Sequence, residues 1–196
     1  MPLVRVERLG NDTLLGLWQM TEQADALPVP SQVDLSGYRS EVRRREVLVT
    51  YALISALTGD DSLTIGHEPS GRPMLKGWHI SISHTRGWAA VVMSRSHEVA
   101  VDIEYWSDRV SRVVERFVRP DEDSDGLHRQ LINWSAKETV YKYFSVEDLQ
   151  YFEMRLLPYA LDSKGSVQVE DLKAGQQVSV CYEVNADFVL TYIAGC

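Results

Sequence analysis

The sequence predicts an α+β protein made of two similar α/β lobes, and three observations lead there. The order of elements repeats: residues 13–94 read as strand, long helix, strand, strand, and residues 99–193 as strand, helices, strand, strand. The strand candidates alternate apolar and polar side chains, most cleanly over residues 177–184, which is the period of a half-buried strand. Both halves contain one long helical pattern, residues 38–58 and residues 127–144. The halves share no obvious residue-level identity, so the echo is one of pattern. A chain of 196 residues can bury a core as one domain or two small lobes. The expected division is 1–97 and 98–196, with a hinge at residues 95–98 and a cleft between the lobes.

The first half opens with a strand at residues 13–20, then a loop containing Pro28 and Pro30. The helix at 38–58 stops at Gly59, a residue suited to a left-handed cap. Its front is basic, with Arg39, Arg43, Arg44 and Arg45, and its back, residues 47–57, is apolar nearly all round, as in a buried helix. Gly71-Arg72-Pro73 marks a turn. Strands follow at 78–84 and 88–94, joined tightly through Thr85-Arg86-Gly87. The second half opens with a strand at 99–104. A short helix is expected over 109–118, ended by Arg119-Pro120, and an acidic loop at 121–125 leads into the helix at 127–144. Three strands close the chain, at 153–159, 177–184 and 188–193.

Composition narrows the function classes. The net charge of −8 argues against bulk attraction to nucleic acid or to an anionic membrane. No run approaches the ~20 apolar residues of a membrane span, and residues 1–8 lack the apolar core of a signal peptide. The two cysteines, Cys181 and Cys196, form no metal spacing and predict no structural disulfide, which fits a reducing cytoplasm.

Two stretches carry chemistry. Residues two apart on a strand share a face, about 6.5–7 Å apart, so Asp102 and Glu104 lie side by side. Two carboxylates so placed repel each other unless a cation sits between them. Glu138 and Lys142 are four apart on the second helix and are surface neighbours. Packed together, Asp102, Glu104 and Glu138 make an all-oxygen, three-carboxylate cluster with a lysine at its edge. That donor set suits Mg²⁺, which keeps waters and shares its sites with substrate phosphates. Taken singly, Asp-x-Glu is more often a solvated strand face, and a Glu–Lys pair four apart a surface pair of about 0.3–0.5 kcal/mol. The arginines oppose the helix dipole, and read either as a solvated face or as a phosphate site, since the guanidinium fork matches phosphate oxygens. His84, at a strand end beside Ser83, is the candidate for phosphate contact or proton handling. Trp134 is read as packing that aims Glu138.

Five stretches in fixed order resemble the 4'-phosphopantetheinyl transferase superfamily: Arg43-Arg44-Arg45-Glu46, Gly71-Arg72-Pro73, Ile82-Ser83-His84-Thr85, Val101-Asp102-Ile103-Glu104, and Trp134-Ser135-Ala136-Lys137-Glu138 with Lys142. The family signatures are Gly-x-Asp-x-Glu and Trp-x-x-Lys-Glu-x-x-x-Lys; this chain has Ala100 where the glycine usually stands. Its length resembles the larger surfactin-synthetase-activator-like class, which implies a pseudo-dimeric fold in one chain, a functional monomer, and an active site in the cleft.

The resemblance implies transfer of 4'-phosphopantetheine from coenzyme A to a serine of an apo-acyl or peptidyl carrier protein, with release of adenosine 3',5'-bisphosphate. It implies Mg²⁺ on Asp102, Glu104 and Glu138, coenzyme A phosphates at Ser83 and His84, adenine and its phosphates near Arg72, and the 3'-phosphate at one or more of Arg43, Arg44 and Arg45. Lys142 is implied at the pyrophosphate, Lys137 at the cofactor, and Glu138 as the base. Two other readings are a non-catalytic carrier-binding module of the same fold and another Mg²⁺-dependent enzyme acting on a nucleotide pyrophosphate. Arg109, Arg112 and Arg116 recur at i, i+3 and i+7, which on a helix forms one basic face, extended by Arg119. It is the expected dock for an acidic carrier.

Overall fold

A computed structural model describes residues 2–10 and 12–195; the readings that touch Met1 and Cys196 lie partly outside the described residues. The chain divides into two units. One runs to Val99 and takes in the stretch from Ala194, and the other is Ala100–Ile193.

The first unit is a four-stranded antiparallel sheet carrying one helix. Strands β1 (Leu3–Leu9), β2 (Thr13–Gln19), β5 (His79–Thr85) and β6 (Trp88–Ser94) are arranged β1-β2-β6-β5, and β3 (Ile65–His67) pairs separately with β4 (Pro73–Leu75). Helix α1 (Glu41–Thr58) starts at Ser40, whose side chain accepts from the Arg43 amide, and ends at Gly59, with φ 70°. That left-handed backbone is one that glycine adopts without a Cβ clash. Leu48, Val49, Leu53, Ile54 and Leu57 of α1 share a core with Ile80, Val91 and Met93. Gly16 on β2 lets the helix close down, because a Cβ there would stand 2.9 Å from a Leu53 methyl. Arg86-Gly87 is the two-residue link of the β5–β6 hairpin, whose register pairs Thr85 with Trp88.

The second unit is a five-stranded antiparallel sheet with the other long helix on it. Strands β7 (Ala100–Tyr105), β8 (Met154–Leu156), β9 (Lys164–Asp171), β10 (Gln176–Val184) and β11 (Phe188–Ile193) are arranged β7-β11-β10-β9-β8, and the helix is α2 (Gly126–Tyr143). Leu131, Ile132, Ala136 and Val140 of α2 pack on Val167, Val169, Val180 and Val189. The register sets Thr191 of β11 against Asp102 of β7.

Two expectations about elements are corrected. Residues 109–118 are not an α-helix but two 3-10 turns, Val110–Arg112 and Val114–Arg116. Val110, Val113 and Val114 are stiff at χ1 and weaken an α-helix, and bonds such as Val113 N–H to the Val110 carbonyl (3.1 Å) close the tighter turn. Arg109, Arg112 and Arg116 are all exposed, but no helical face aligns them. In place of a strand over 153–159 there is only β8, three residues long, since Pro158 has no N–H to extend the ladder. No helix is long and apolar enough to cross a membrane among the described residues.

Candidate functional site

The second unit holds the carboxylates. β7 presents Asp102 and Glu104, and α2 lies over them with a polar stripe. Ser135 Oγ donates to Asp102 Oδ2 (2.9 Å), and Lys142 Nζ donates to Asp102 Oδ1 (2.7 Å) and to the Val101 carbonyl (3.0 Å). Ser135 and Thr139 both meet Thr191 Oγ1, at 2.8 and 2.6 Å, so strand β11 is tied into the same network. Asp102 is 4% exposed. It is therefore not on a solvated strand face, and its charge is compensated by Lys142, which is paired with it rather than standing at the edge of a cluster.

The other two carboxylates have donors of their own. Trp134 Nε1 donates to Glu104 Oε1 (2.8 Å), and the Tyr151 hydroxyl donates to Glu138 Oε1 (2.7 Å). Trp134 thus aims Glu104, not Glu138 as the sequence reading had it. Burial pushes the Glu138 carboxyl above its usual range, the Tyr151 hydrogen bond opposes the rise, the Asp102 charge adds to it and Lys142 offsets part of it. Burial and the bond to Glu138 push the Tyr151 hydroxyl up as well, so it stays a donor.

The expected closed cluster is corrected. Among the described residues, no group of three His, Cys, Asp or Glu side chains is gathered to hold a metal ion. Each carboxylate is turned to its own protein donor. The donor chemistry nevertheless fits a hard cation: the atoms are all carboxylate oxygens, and the Asp102 charge acts on Glu138 as a repulsion that a cation relieves.

Lys137 does not reach a cofactor. Its side chain is 0% exposed, and Nζ donates to Glu122 Oε2 (2.8 Å), the Phe117 carbonyl (2.7 Å) and the Tyr151 carbonyl (3.1 Å). All three ammonium protons are engaged, so the cofactor expectation gives way to an internal ion pair. Burial lowers the Lys137 pKa, and the Glu122 charge holds it up.

The first unit has a cavity of about 420 Å³, lined in part by Arg43, Thr50, Tyr51, Gly71, Pro73 and His84. His84 Nε2 lies 2.9 Å from Thr50 Oγ1, and that hydroxyl donates to the Glu46 carbonyl (2.8 Å). With the threonine proton committed, His84 Nε2 carries the hydrogen of this contact. Arg43 also pairs with Glu46 at 3.0 Å. The remaining predicted residues do not line this cavity. Ser83 is buried and, as the neighbour of His84 on β5, points to the opposite face. Arg72 pairs with Glu98, Arg44 is exposed, and Arg45 donates to the Glu22 carbonyl (3.2 Å).

Sequence reasoning missed Ser135 and Tyr151, which donate to Asp102 and Glu138, and Thr191, which bonds Ser135 and Thr139 behind them. Only Ser135 had a signal, its place inside the Trp134–Lys142 motif.

Residues 98–193 match the sequence model of the 4'-phosphopantetheinyl transferase superfamily. The match takes in Asp102, Glu104, Glu138 and Lys142, and supports phosphopantetheinyl transferase activity in general terms. No curated protein matches the chain.

Proposed function

We propose that the chain transfers 4'-phosphopantetheine from coenzyme A to a serine of an apo-acyl or peptidyl carrier protein, with Mg²⁺, and releases adenosine 3',5'-bisphosphate. The observation that carries this reading is the juxtaposition, within the matched stretch, of the half-buried Glu138 carboxylate, held by the Tyr151 hydroxyl, and Lys142, already bonded to the strand carboxylate Asp102. An unactivated hydroxyl needs a general base within hydrogen-bond reach, and a lysine beside it can meet phosphate charge.

Asp102, Glu104 and Glu138 are the residues that would hold Mg²⁺, whose chemistry when bound is to offset charge on the pyrophosphate. Glu138 takes the proton of the carrier serine. The serine oxygen then forms its bond to the β-phosphorus of coenzyme A as the phosphoanhydride bond breaks, and the bridging oxygen keeps the electron pair on the bisphosphate. Two of the Lys142 protons hold Asp102 and the Val101 carbonyl; the third is left to donate to a phosphate oxygen. In the first unit, Arg43 and His84 are the cationic and hydrogen-bonding groups proposed for coenzyme A phosphates, on the strength of their shared cavity.

The reading includes a cytoplasmic monomer of the larger single-chain class. It is supported by the cysteine count and by the two helix-on-sheet units within one chain. The test is to incubate the protein with coenzyme A, Mg²⁺ and a panel of apo-carrier proteins, and to follow both the carrier mass and the bisphosphate. Bisphosphate release matched by a carrier gaining one phosphopantetheine supports the proposal. Binding of carriers without mass gain supports the non-catalytic module, and coenzyme A cleavage without mass gain supports a pyrophosphate-acting enzyme.

A further inference from the structure

Glu138 is held by a residue that the transferase motif does not contain. Tyr151 lies 13 positions beyond it, outside α2, and its hydroxyl donates to Glu138 Oε1 at 2.7 Å. Three contacts fix where that hydroxyl points. The Tyr151 ring packs on Trp134 (centroids 5.3 Å apart, planes at 33°) and lies 6.4 Å from Phe117, which itself packs edge-on to Trp134 at 5.1 Å. The Tyr151 carbonyl accepts from the buried Lys137 ammonium, which also holds the Phe117 carbonyl. The 3-10 turn Tyr151–Glu153 is closed by a reciprocal Gln150–Glu153 capping box. Ring, carbonyl and turn are each tied down, so the hydroxyl has one direction left to it.

The kind of donor matters. Asp102 is met by a lysine cation, whereas Glu138 is met by a neutral phenol. A neutral donor orients a carboxylate without cancelling its charge. Partners of this sort around a metal or catalytic carboxylate are worth about 10–100-fold in affinity or rate.

We propose that Tyr151 is a positioning residue for the transfer reaction, its hydroxyl holding the Glu138 carboxylate at the angle needed for proton removal and cation contact. The proposal rests on the transferase reading above, and its test is built to separate the two. Tyr151→Phe keeps the ring and its packing but removes the donor; Tyr151→Leu removes both.

Turnover with an apo-carrier protein, Mn²⁺ binding to the carrier-free protein by calorimetry, and the melting temperature are measured on each. The expected result for Tyr151→Phe is a kcat about tenfold lower, a coenzyme A KM within about twofold of the parent, and Mn²⁺ affinity about tenfold weaker, at a nearly unchanged melting temperature. Tyr151→Leu should lose stability in addition. Parent-like kcat and Mn²⁺ affinity in Tyr151→Phe overturn the proposal, as does a fall in melting temperature alone. A parent protein that binds Mn²⁺ but modifies no carrier sinks the transferase reading, and the Mn²⁺ comparison still decides for or against Tyr151. A parent that does neither overturns both.

Discussion

Lys137 shows how far a side chain's identity is from its role. The motif Trp-x-x-Lys-Glu pointed to a cofactor contact, yet Lys137 is fully enclosed and bonded to Glu122 and two carbonyls. Glu122 is equally enclosed and also accepts from the Arg119 and Leu156 amides, both at 2.7 Å. The pair thus fastens the loop before α2 to the turn that precedes β8 and to the last residue of β8. Removing one partner of a buried pair strands the other's charge, at a cost of about 3–5 kcal/mol. Lys137→Met should therefore lose about that much stability in urea denaturation, and Lys137→Met with Glu122→Gln should recover a good part of it. A Lys137→Met protein of parental stability but weakened coenzyme A KM would return this lysine to the cofactor. The reason the sequence misled is physical: burial is decided by segments distant in the chain, here residues 117, 122 and 151. The same holds for Trp134, whose indole N–H goes to Glu104. By contrast, the placing of Asp102 beside Glu104 and of Glu138 beside Lys142 was legible, because strand and helix spacing sets each pair on a shared face before any tertiary contact forms; the separate donor that each carboxylate meets was not.

At the scale of elements, the seam between α2 and the β7–β11 pair sets the candidate site. Ser135, Thr139 and Lys142 recur along one face of α2 and meet Asp102 and Thr191 on adjacent strands. A small hydroxyl at position 135 allows the close approach and supplies the donor. Ser135→Ala removes two buried hydrogen bonds, so it should cost about 1–3 kcal/mol and lower kcat more than coenzyme A affinity, which steady-state kinetics and a melting curve can check. Unchanged kcat with the full loss of stability would mean that the seam is only structural. The elements differed in how well they could be read. β11 falls at residues 188–193 as expected, and α2 within one residue at each end, because their patterns are long and regular. β1 was not legible: its Val4 and Val6 are exposed while Arg5 and Glu7 are half-buried as an ion pair, reversing the usual alternation. The 3-10 turns at 110–116 hid behind a spacing that also fits an α-helix.

At the scale of the molecule, charge and the proposed partner have to be reconciled. The chain carries a net −8, so an acidic carrier protein cannot be drawn in by total charge and needs a local basic patch. Arg109, Arg112 and Arg116 remain exposed although no helix aligns them, and Arg112 pairs with the equally exposed Asp108. An exposed pair of this kind holds little energy and is free to exchange partners. Arg112→Glu with Arg116→Glu should raise the carrier KM about tenfold, near 1.4 kcal/mol, with coenzyme A KM nearly unchanged. An unaltered carrier KM at low salt would put docking elsewhere.

The central claim is that the carboxylates of the second unit carry a transfer reaction. The direct measurement is the intact mass of an apo-carrier protein after incubation with coenzyme A and Mg²⁺, using the parent protein, Asp102→Ala and Glu138→Gln. The parent should add one phosphopantetheine to the carrier, and excess EDTA should abolish the gain. Both variants should lose it, Glu138→Gln while still folded. A Glu138→Gln protein that modifies the carrier at the parent's rate, or a folded parent that modifies no carrier in a broad panel, would contradict the claim.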